Sequence, residues 1–367
     1  MTKTRILYEP ETITPPGETV AELLEDRGMT QTEVAQRMGR PVKTINEIIH
    51  GKAAIIPETA LQLERVFGVP AEYWLNHEAK YRASLLRQNE EAQFKAWHDW
   101  LDKLPVKELK AIGKLSSIRN HGRNKNLLIR ECLEFFGVAT PDEWQSVYNR
   151  LQIAYRQSMP QKSDVYARAA WLRLGELHAT KIQTGRYDRQ RFVATLQEMR
   201  ALTILHPEEF EPRLSALCAE SGVLLALVPA IPRARVSGAA RWINQRPLIQ
   251  LSLYGKTNDR FWFTFFHEVC HILKHERKLV YMDNELGEDI NDIEWMADLF
   301  AKELLIPSHH EAALATLRSK EAVRDFAASI GIHPGIVVGR LQHEQYIERS
   351  WMNDLKDTLA WETELAA

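Results

Sequence analysis

One stretch narrows the fold before anything else does: "RFWFTFFHEVCHILKHE", residues 260–276, an apolar helical run carrying His267, Glu268 and His271. On a helix, positions 267 and 271 lie one turn apart on the same face, so two imidazoles converge on one ion. Glu268 is turned off that axis. There it can hold a water and take its proton, the general-base task in a zinc peptidase. A mostly buried helix that carried a carboxylate and two imidazoles with no such task would lose their hydration without return.

The third ligand decides the class of site. A histidine six residues after His271 would make the metzincin pattern, but Lys274 and Arg277 stand in that region. His275 would sit two turns beyond His267 on the same helix. A second helix, "DIEWMADLFAKELLIP", answers better, with Glu294 and Asp298 one turn apart. Glu294 completes a His-His-Glu set that leaves a position open for water. Asp298 is placed to accept the other ring N–H of a ligating histidine and fix its tautomer. Ala297 and Ala301 let this helix lie close to the first, and Pro307 ends it.

Strand signals are few and late: "GVLLALV" at 222–228 and "PLIQLSL" at 247–253. The second is expected beside the cleft, where it could pair a substrate backbone. Tyr254, Tyr281, His309 and His333 are the candidate oxyanion stabilisers, and the sequence does not choose among them. The later "AVRDFAASIGIHPGIVVGRLQHEQYI" has helix-turn-helix spacing about Gly331 and is read as structural.

The first eighty residues have a different texture. Thr30 followed by Glu33 is a capping box. Val34, Ala35 and Met38 form the inner face of a short helix that Gly39 ends, and a third helix runs from Val42 to Ile49 with Ile45, Ile48 and Ile49 inward. Pro57 starts a fourth, holding Leu61, Leu63, Val66 and Phe67. Two short helices on a tight glycine turn, buttressed on both sides, make a helix-turn-helix domain whose second helix reads the major groove. Gln31, Arg40, Lys43, Thr44, Asn46 and Lys52 are the candidate DNA contacts.

Charge is distributed to match. The chain holds 47 basic and 49 acidic residues among 367, which excludes a uniformly basic DNA-coating protein. Residues 81–200 carry 21 basic against 13 acidic residues, and Lys103–Arg130 holds eight Lys/Arg against Glu108 alone. That run is either a backbone-tracking nucleic-acid surface or a solvated helix face. Three scattered cysteines, Cys132, Cys218 and Cys270, offer no disulfide framework and point to a reducing cytosol. No membrane or export signal is visible, so a cytoplasmic protein is expected.

These residues carry two resemblances. "TPPGETVAELLEDRGMTQTEVAQRMG", "KTINEIIHGKAAIIPETALQLERVFG" and "PAEYWLNHEAKY" resemble lambda-repressor-like (XRE) helix-turn-helix domains, especially HigA-type antitoxins, although Pro41-Val42-Lys43 departs from the usual start of the reading helix. "HEVCH" with "EWMADLFAKELLIP", flanked by "SGAARWINQRPLIQLSL" and "FAASIGIHPGIVVGRLQ", resembles the ImmA/IrrE metallopeptidases. The resemblance implies a gluzincin-like core, Zn²⁺ or another divalent ion such as Mn²⁺ on His267, His271 and Glu294, and Glu268 as base. It also implies cleavage of a transcriptional repressor, and a DNA-reading head on a peptidase body suggests that the chain cuts itself or a separate small repressor or antitoxin.

The expected fold is α+β and mostly helical: a helix-turn-helix domain at 1–82, a helical basic region at 83–164, and a peptidase domain with a small β-sheet at 165–367. Expected partners are double-stranded operator DNA, single-stranded DNA as an activator, a protein substrate, a cognate toxin and a second copy of the chain. The other reading is an antitoxin-type repressor that binds a toxin and carries a structural or inactive metal site. An intact Glu268 favours the enzyme, because structural zinc needs no base.

Overall fold

The computed structural model describes residues 14–122, 124–155, 163–253, 255–274 and 290–360, and the chain divides into two compact units, Met1–Trp97 and His98–Ala367.

The first unit holds α1 (Pro16–Asp26), α2 (Gln31–Met38), α3 (Val42–Ile49), α4 (Pro57–Phe67) and α5 (Ala71–Ala96). The start of α2 is set by the capping box: Glu33 N–H donates to Thr30 Oγ1 at 3.2 Å, and Thr30 N–H donates to the Glu33 carboxylate at 2.7 Å. Gly39, at φ 65°, ends α2 in the left-handed region and turns the chain into α3. Gly17 lets α1 cross α3 at backbone distance, since a Cβ there would stand 2.0 Å from the Ile48 carbonyl oxygen. Val20, Val34, Ile45, Ile48, Leu63 and Trp74 fill the core so formed. Burying each such side chain stabilises the unit by roughly 1.5–3 kcal/mol relative to exposure. Leu61, expected inside, is exposed, because Ala60 and Leu63 already occupy the inward face of α4.

The boundary expected after residue 82 is not where the first unit ends. α5 passes through that position unbroken, and Arg82 ties it back with Nε 2.6 Å from Glu78 and Nη2 3.1 Å from the Gly51 carbonyl.

The second unit begins with α6 (His98–Lys103), α7 (Val106–Ala111), α8 (Asn124–Phe136), α9 (Pro141–Tyr155) and α10 (Val165–Ala179). These helices pack on one another and belong to the same unit as the sheet. Arg173 Nε donates to the Phe135 carbonyl at 2.7 Å, and Trp144 stacks on Tyr166 with centroids 4.9 Å apart. Several members of the basic run are engaged internally: Lys110 donates to the Ile118 carbonyl, Lys125 sits 3.0 Å from Asp102, and Lys103 lies over the Tyr166 ring. For those residues a structural role accounts for the charge.

α11 (Arg189–Ala194), α12 (Leu196–Ala201) and α13 (Pro207–Glu220) lead to a three-stranded sheet of β1 (Leu224–Leu227), β2 (Gly238–Ile243) and β3 (Arg246–Leu251), in the order β1-β3-β2. β3 is central, parallel to β1 and antiparallel to β2. The sequence signals found β1 and β3 but not β2, whose Gly-Ala-Ala start lacks β-branched residues. Its hairpin turns on Asn244 and Gln245, at φ 48° and 65°, without the glycine that usually marks such a turn. A buried network fastens α10 to the sheet. Arg241 reaches Glu176 at 2.8 Å and Gln250 at 3.1 Å, Gln250 donates to the Trp171 carbonyl at 2.6 Å, and Gly175 leaves room for the amide.

α14 (Asn258–Lys274) packs on the sheet and on α15 (Ile290–Leu305), which crosses closely where Ala297 and Ala301 are fully buried. α16 (Glu311–Leu314), α17 (Lys320–Ile330) and α18 (Pro334–His343) complete the unit's helices. Ile336, Val337, Val338 and Leu341 of α18 enter the main core, in keeping with a structural reading of this second helix-turn-helix spacing. The architecture is therefore mostly helical α+β, and no helix among the described residues is long and apolar enough to cross a membrane.

Candidate metal centre

The helix α14 presents its apolar face, Phe261, Trp262, Phe265, Phe266 and Val269, to the core. Its other face leaves His267 partly open beside α15. His267, His271 and Glu294 come together there, with one donor atom from each within 4.8 Å of the others. His267 Nε2 lies 3.0 Å from His271 Nε2 and 3.2 Å from Glu294, and His271 Nε2 lies 3.6 Å from the second Glu294 oxygen. Three ligand groups crowded at these distances on two neighbouring helices suit a shared cation.

Asp298, one turn on from Glu294, lies 2.9 Å from His267 Nδ1. That contact leaves Nε2 facing the cluster. Burial opposes protonation of His267, but hydrogen bonds to Asp298 and Glu294 and the charge of Glu268 outweigh it and push its pKa up to about 10.

Glu268 is buried between α14 and the start of β2. Burial pushes its carboxyl up to about 7; the His267 charge opposes this, Glu294 adds to it, and the Ala240 N–H bonded to the carboxylate opposes it again. Gly238 makes the space: a Cβ there would lie 2.7 Å from Glu268 Oε1 and 2.5 Å from Thr264 Cγ2. A carboxyl that titrates near neutrality beside a three-donor cluster is equipped to accept and return a proton.

One expectation is corrected. The strand of 247–253 is not available to a substrate, because β3 is hydrogen-bonded on both sides. The edge next to Glu268 belongs to β2, which the strand signals missed. The signal that could have found it is the Gly-Ala-Ala run, small residues where a helix and its carboxylate must approach a backbone.

The oxyanion candidates separate. Tyr254 and Tyr281 lie outside the described residues, as does His275. His333 is the N-cap of α18, its Nδ1 taking the Gly335 N–H at 3.0 Å and its Nε2 3.1 Å from Asp357. His309 packs against the His310 ring in the turn after α15. Cys270 is buried, with its Sγ 3.9 Å from the Met296 carbonyl, and burial pushes its thiol up to about 11, so it packs as a neutral group.

In the first unit, Asn46 Nδ2 donates to Gln31 Oε1 at 3.3 Å, joining the middle of α3 to the start of α2. The Lys43 side chain is 85% exposed and Lys52 is exposed, while Thr44 is half-buried. Arg40 departs from the expected set: it turns to α4, bonding Gln62 at 2.5 Å and pairing with Glu58 at 3.4 Å.

Residues 20–74 match the family described as Helix-turn-helix, and residues 233–342 match the M78 peptidase family, described as IrrE N-terminal-like domain. The chain joins a helix-turn-helix domain to an IrrE N-terminal-like domain. The IrrE N-terminal-like match contains the three clustered donors, Glu268 and Asp298. The chain is 39% identical over 62 residues to virulence-associated protein A of Dichelobacter nodosus, covering 17% of this chain and 61% of that protein. It is 34% identical over 61 residues to the uncharacterised HTH-type transcriptional regulator YddM of Escherichia coli K12, covering 17% and 65%. Virulence-associated protein I of Dichelobacter nodosus is 32% identical over 78 residues, covering 21% and 72%. The chain thus spans under two thirds of the length of the first two relatives. Among solved structures, an antidote protein of a plasmid maintenance system from Nostoc punctiforme is 26% identical, covering 23% of this chain and 91% of its own, with a TM-score of 0.22. A HigA-family antidote protein from Coxiella burnetii is 26% identical, covering 23% and 92%, with a TM-score of 0.21.

Proposed function

We propose that this chain is a DNA-binding regulator whose second unit is a divalent-metal endopeptidase, acting on itself or on a partner repressor or antitoxin. The observation that carries the reading is the convergence of His267, His271 and Glu294 beside a buried carboxylate, Glu268. Two imidazoles and one carboxylate fit Zn²⁺, and they would accept Mn²⁺. When bound, such an ion supplies Lewis acidity toward the scissile carbonyl and toward water.

The remaining work falls to the chain. Glu268 takes a proton from the attacking water and returns it to the leaving amine, a cycle suited to a carboxyl whose pKa burial has raised toward neutrality. Asp298 holds the His267 ring in one orientation through Nδ1. The outer edge of β2 receives the substrate backbone by strand pairing, which sets the scissile bond alongside Glu268. In the first unit, α3 enters the major groove, with Gln31, Lys43, Thr44, Asn46 and Lys52 toward DNA and Arg40 bracing α4. A dimer would read paired half-sites. Proteolysis of the chain or of a partner repressor then releases the operator.

The test is direct. The purified full chain is assayed for bound metal and incubated with Zn²⁺ or Mn²⁺, with and without single-stranded DNA, and products are identified by mass spectrometry. Metal-dependent, chelator-sensitive fragments of the chain or of a repressor from the same operon are expected. Metal bound at one equivalent with no cleavage of either would count against the peptidase.

A further inference from the structure

Beside the metal centre the second unit holds a large cavity, about 940 Å³, that the proposed chemistry does not use. It is walled by the first half of α14, the second half of α15, α18 and the segment after it. Arg260, Phe263 and Thr264 lie along one face of α14 that continues to His267 a turn later, and Asp298 stands in the wall. Ser237, just before β2, also lines it. The cavity thus borders the start of β2 on one side and, at Asp298, the residue that bonds His267 on the other. A chain paired to that edge would drop one side chain into it.

The lining is strongly cationic. Arg260, Lys302, Arg340, Arg349 and Lys356 face Asp259 and Asp298. Three of these charges are settled internally: Lys356 lies 2.7 Å from Asp259, both largely buried, and Asp298 is committed to His267. Lys302 and Arg340 share Glu344, at 3.3 and 2.9 Å. Arg260 and Arg349 are exposed and make no ion pair with any described residue. Arg260 is nonetheless seated, its stem lying over Gly255, where a Cβ would come within 2.5 Å of Arg260 Cδ. A guanidinium held by its stem, with no carboxylate of the described residues on its fork, is a preformed carboxylate receptor.

We infer that this cavity is a specificity subsite of the proposed peptidase, taking an aspartate or glutamate side chain of the substrate next to the scissile bond. The inference rests on the peptidase reading and adds the substrate class. A volume of this size holds one side chain with its flanking peptide and water. The extended geometry of the β2 edge favours a peptide over a nucleic-acid strand.

The full-length Glu268→Gln protein, loaded with Zn²⁺, is titrated into fluorescein-labelled alanine-rich decapeptides in which one Glu is walked through the central positions, each with a Lys twin. Anisotropy is expected to show Kd at least ~10-fold lower for the best Glu peptide than for its twin, the size of one charge-assisted pair. Arg260→Glu and Arg349→Glu, both exposed, are each expected to shrink or invert that ratio, and added salt to weaken it. No preference for Glu, whether from equal affinity or from no binding at all, overturns the inference, as does a preference that both variants keep. Tighter binding of an oligothymidylate, lost in both variants, would assign the cavity to phosphodiesters and overturn it equally. A Glu preference in binding with no cleavage by the parent protein would sink the peptidase reading and leave the acidic subsite standing.

Discussion

Gly238 and Glu268 meet across the seam between β2 and α14, close enough that a Cβ on the glycine would lie 2.7 Å from Glu268 Oε1. The carboxylate owes its position to that missing methyl. Gly238→Ala should therefore move Glu268 without touching a metal donor. Cleavage is expected to fall about 10–100-fold, the scale of a misplaced general base, while Zn²⁺ affinity measured by chelator competition stays within about two-fold. Loss of metal binding in parallel would mean that Gly238 supports the donors instead.

Asp298 meets the centre through His267 Nδ1, at 2.9 Å. Asp298→Asn keeps the shape and weakens the acceptor. Zn²⁺ affinity should drop about 10–100-fold, as such outer hydrogen bonds usually contribute, with the fold intact by circular dichroism. Unchanged affinity would remove Asp298 from the metal centre.

The metal-free protein should carry a pH signature. Glu268 is raised from its ordinary value to about 7. Between about pH 4.5 and 7 the unfolded chain ionises this group while the folded chain resists, so stability falls as pH rises. His267, raised to about 10, adds a contribution that is full below about pH 6.5 and lost toward pH 10. Thermal unfolding in chelator should find Glu268→Gln more stable than the parent by roughly 3 kcal/mol at pH 8, converging on it near pH 4.5. A constant difference across that range would contradict the assignment.

Lys43 and Arg40 neighbour each other in sequence but are engaged differently, one open to solvent and one clamped to Gln62 and Glu58. Lys43→Ala should weaken operator binding and lower the salt slope by about one, with stability unchanged. Arg40→Ala should lower thermal stability, by roughly 1 kcal/mol. Gel shifts across a salt series, with melting curves, separate the two; equal effects of both on the salt slope would return Arg40 to the interface.

The donors were legible because helical spacing is a local rule: 267 with 271, and 294 with 298, share faces whatever surrounds them. The capping box at Thr30 and Glu33 was legible for the same reason. β2 was not, since a strand of small residues owes its place to the carboxylate and helix packed against it, which sequence does not pair up. The contacts of Arg40 to Gln62 and Glu58 are not legible in the sequence, because those partners come from another helix. Arg260 and Arg349 were passed over because their shared cavity joins α14 to residues far along the chain.

The central claim is that Glu268 moves a proton at a metal-dependent peptidase centre. It is tested most directly by incubating the full chain and its Glu268→Gln variant with one equivalent of Zn²⁺, alone and with the repressor of its own operon, and reading fragments by mass spectrometry. The account predicts fragments from the parent only, with both proteins binding the ion equally. Equal fragmentation by both, or none by a metal-loaded parent, would contradict it.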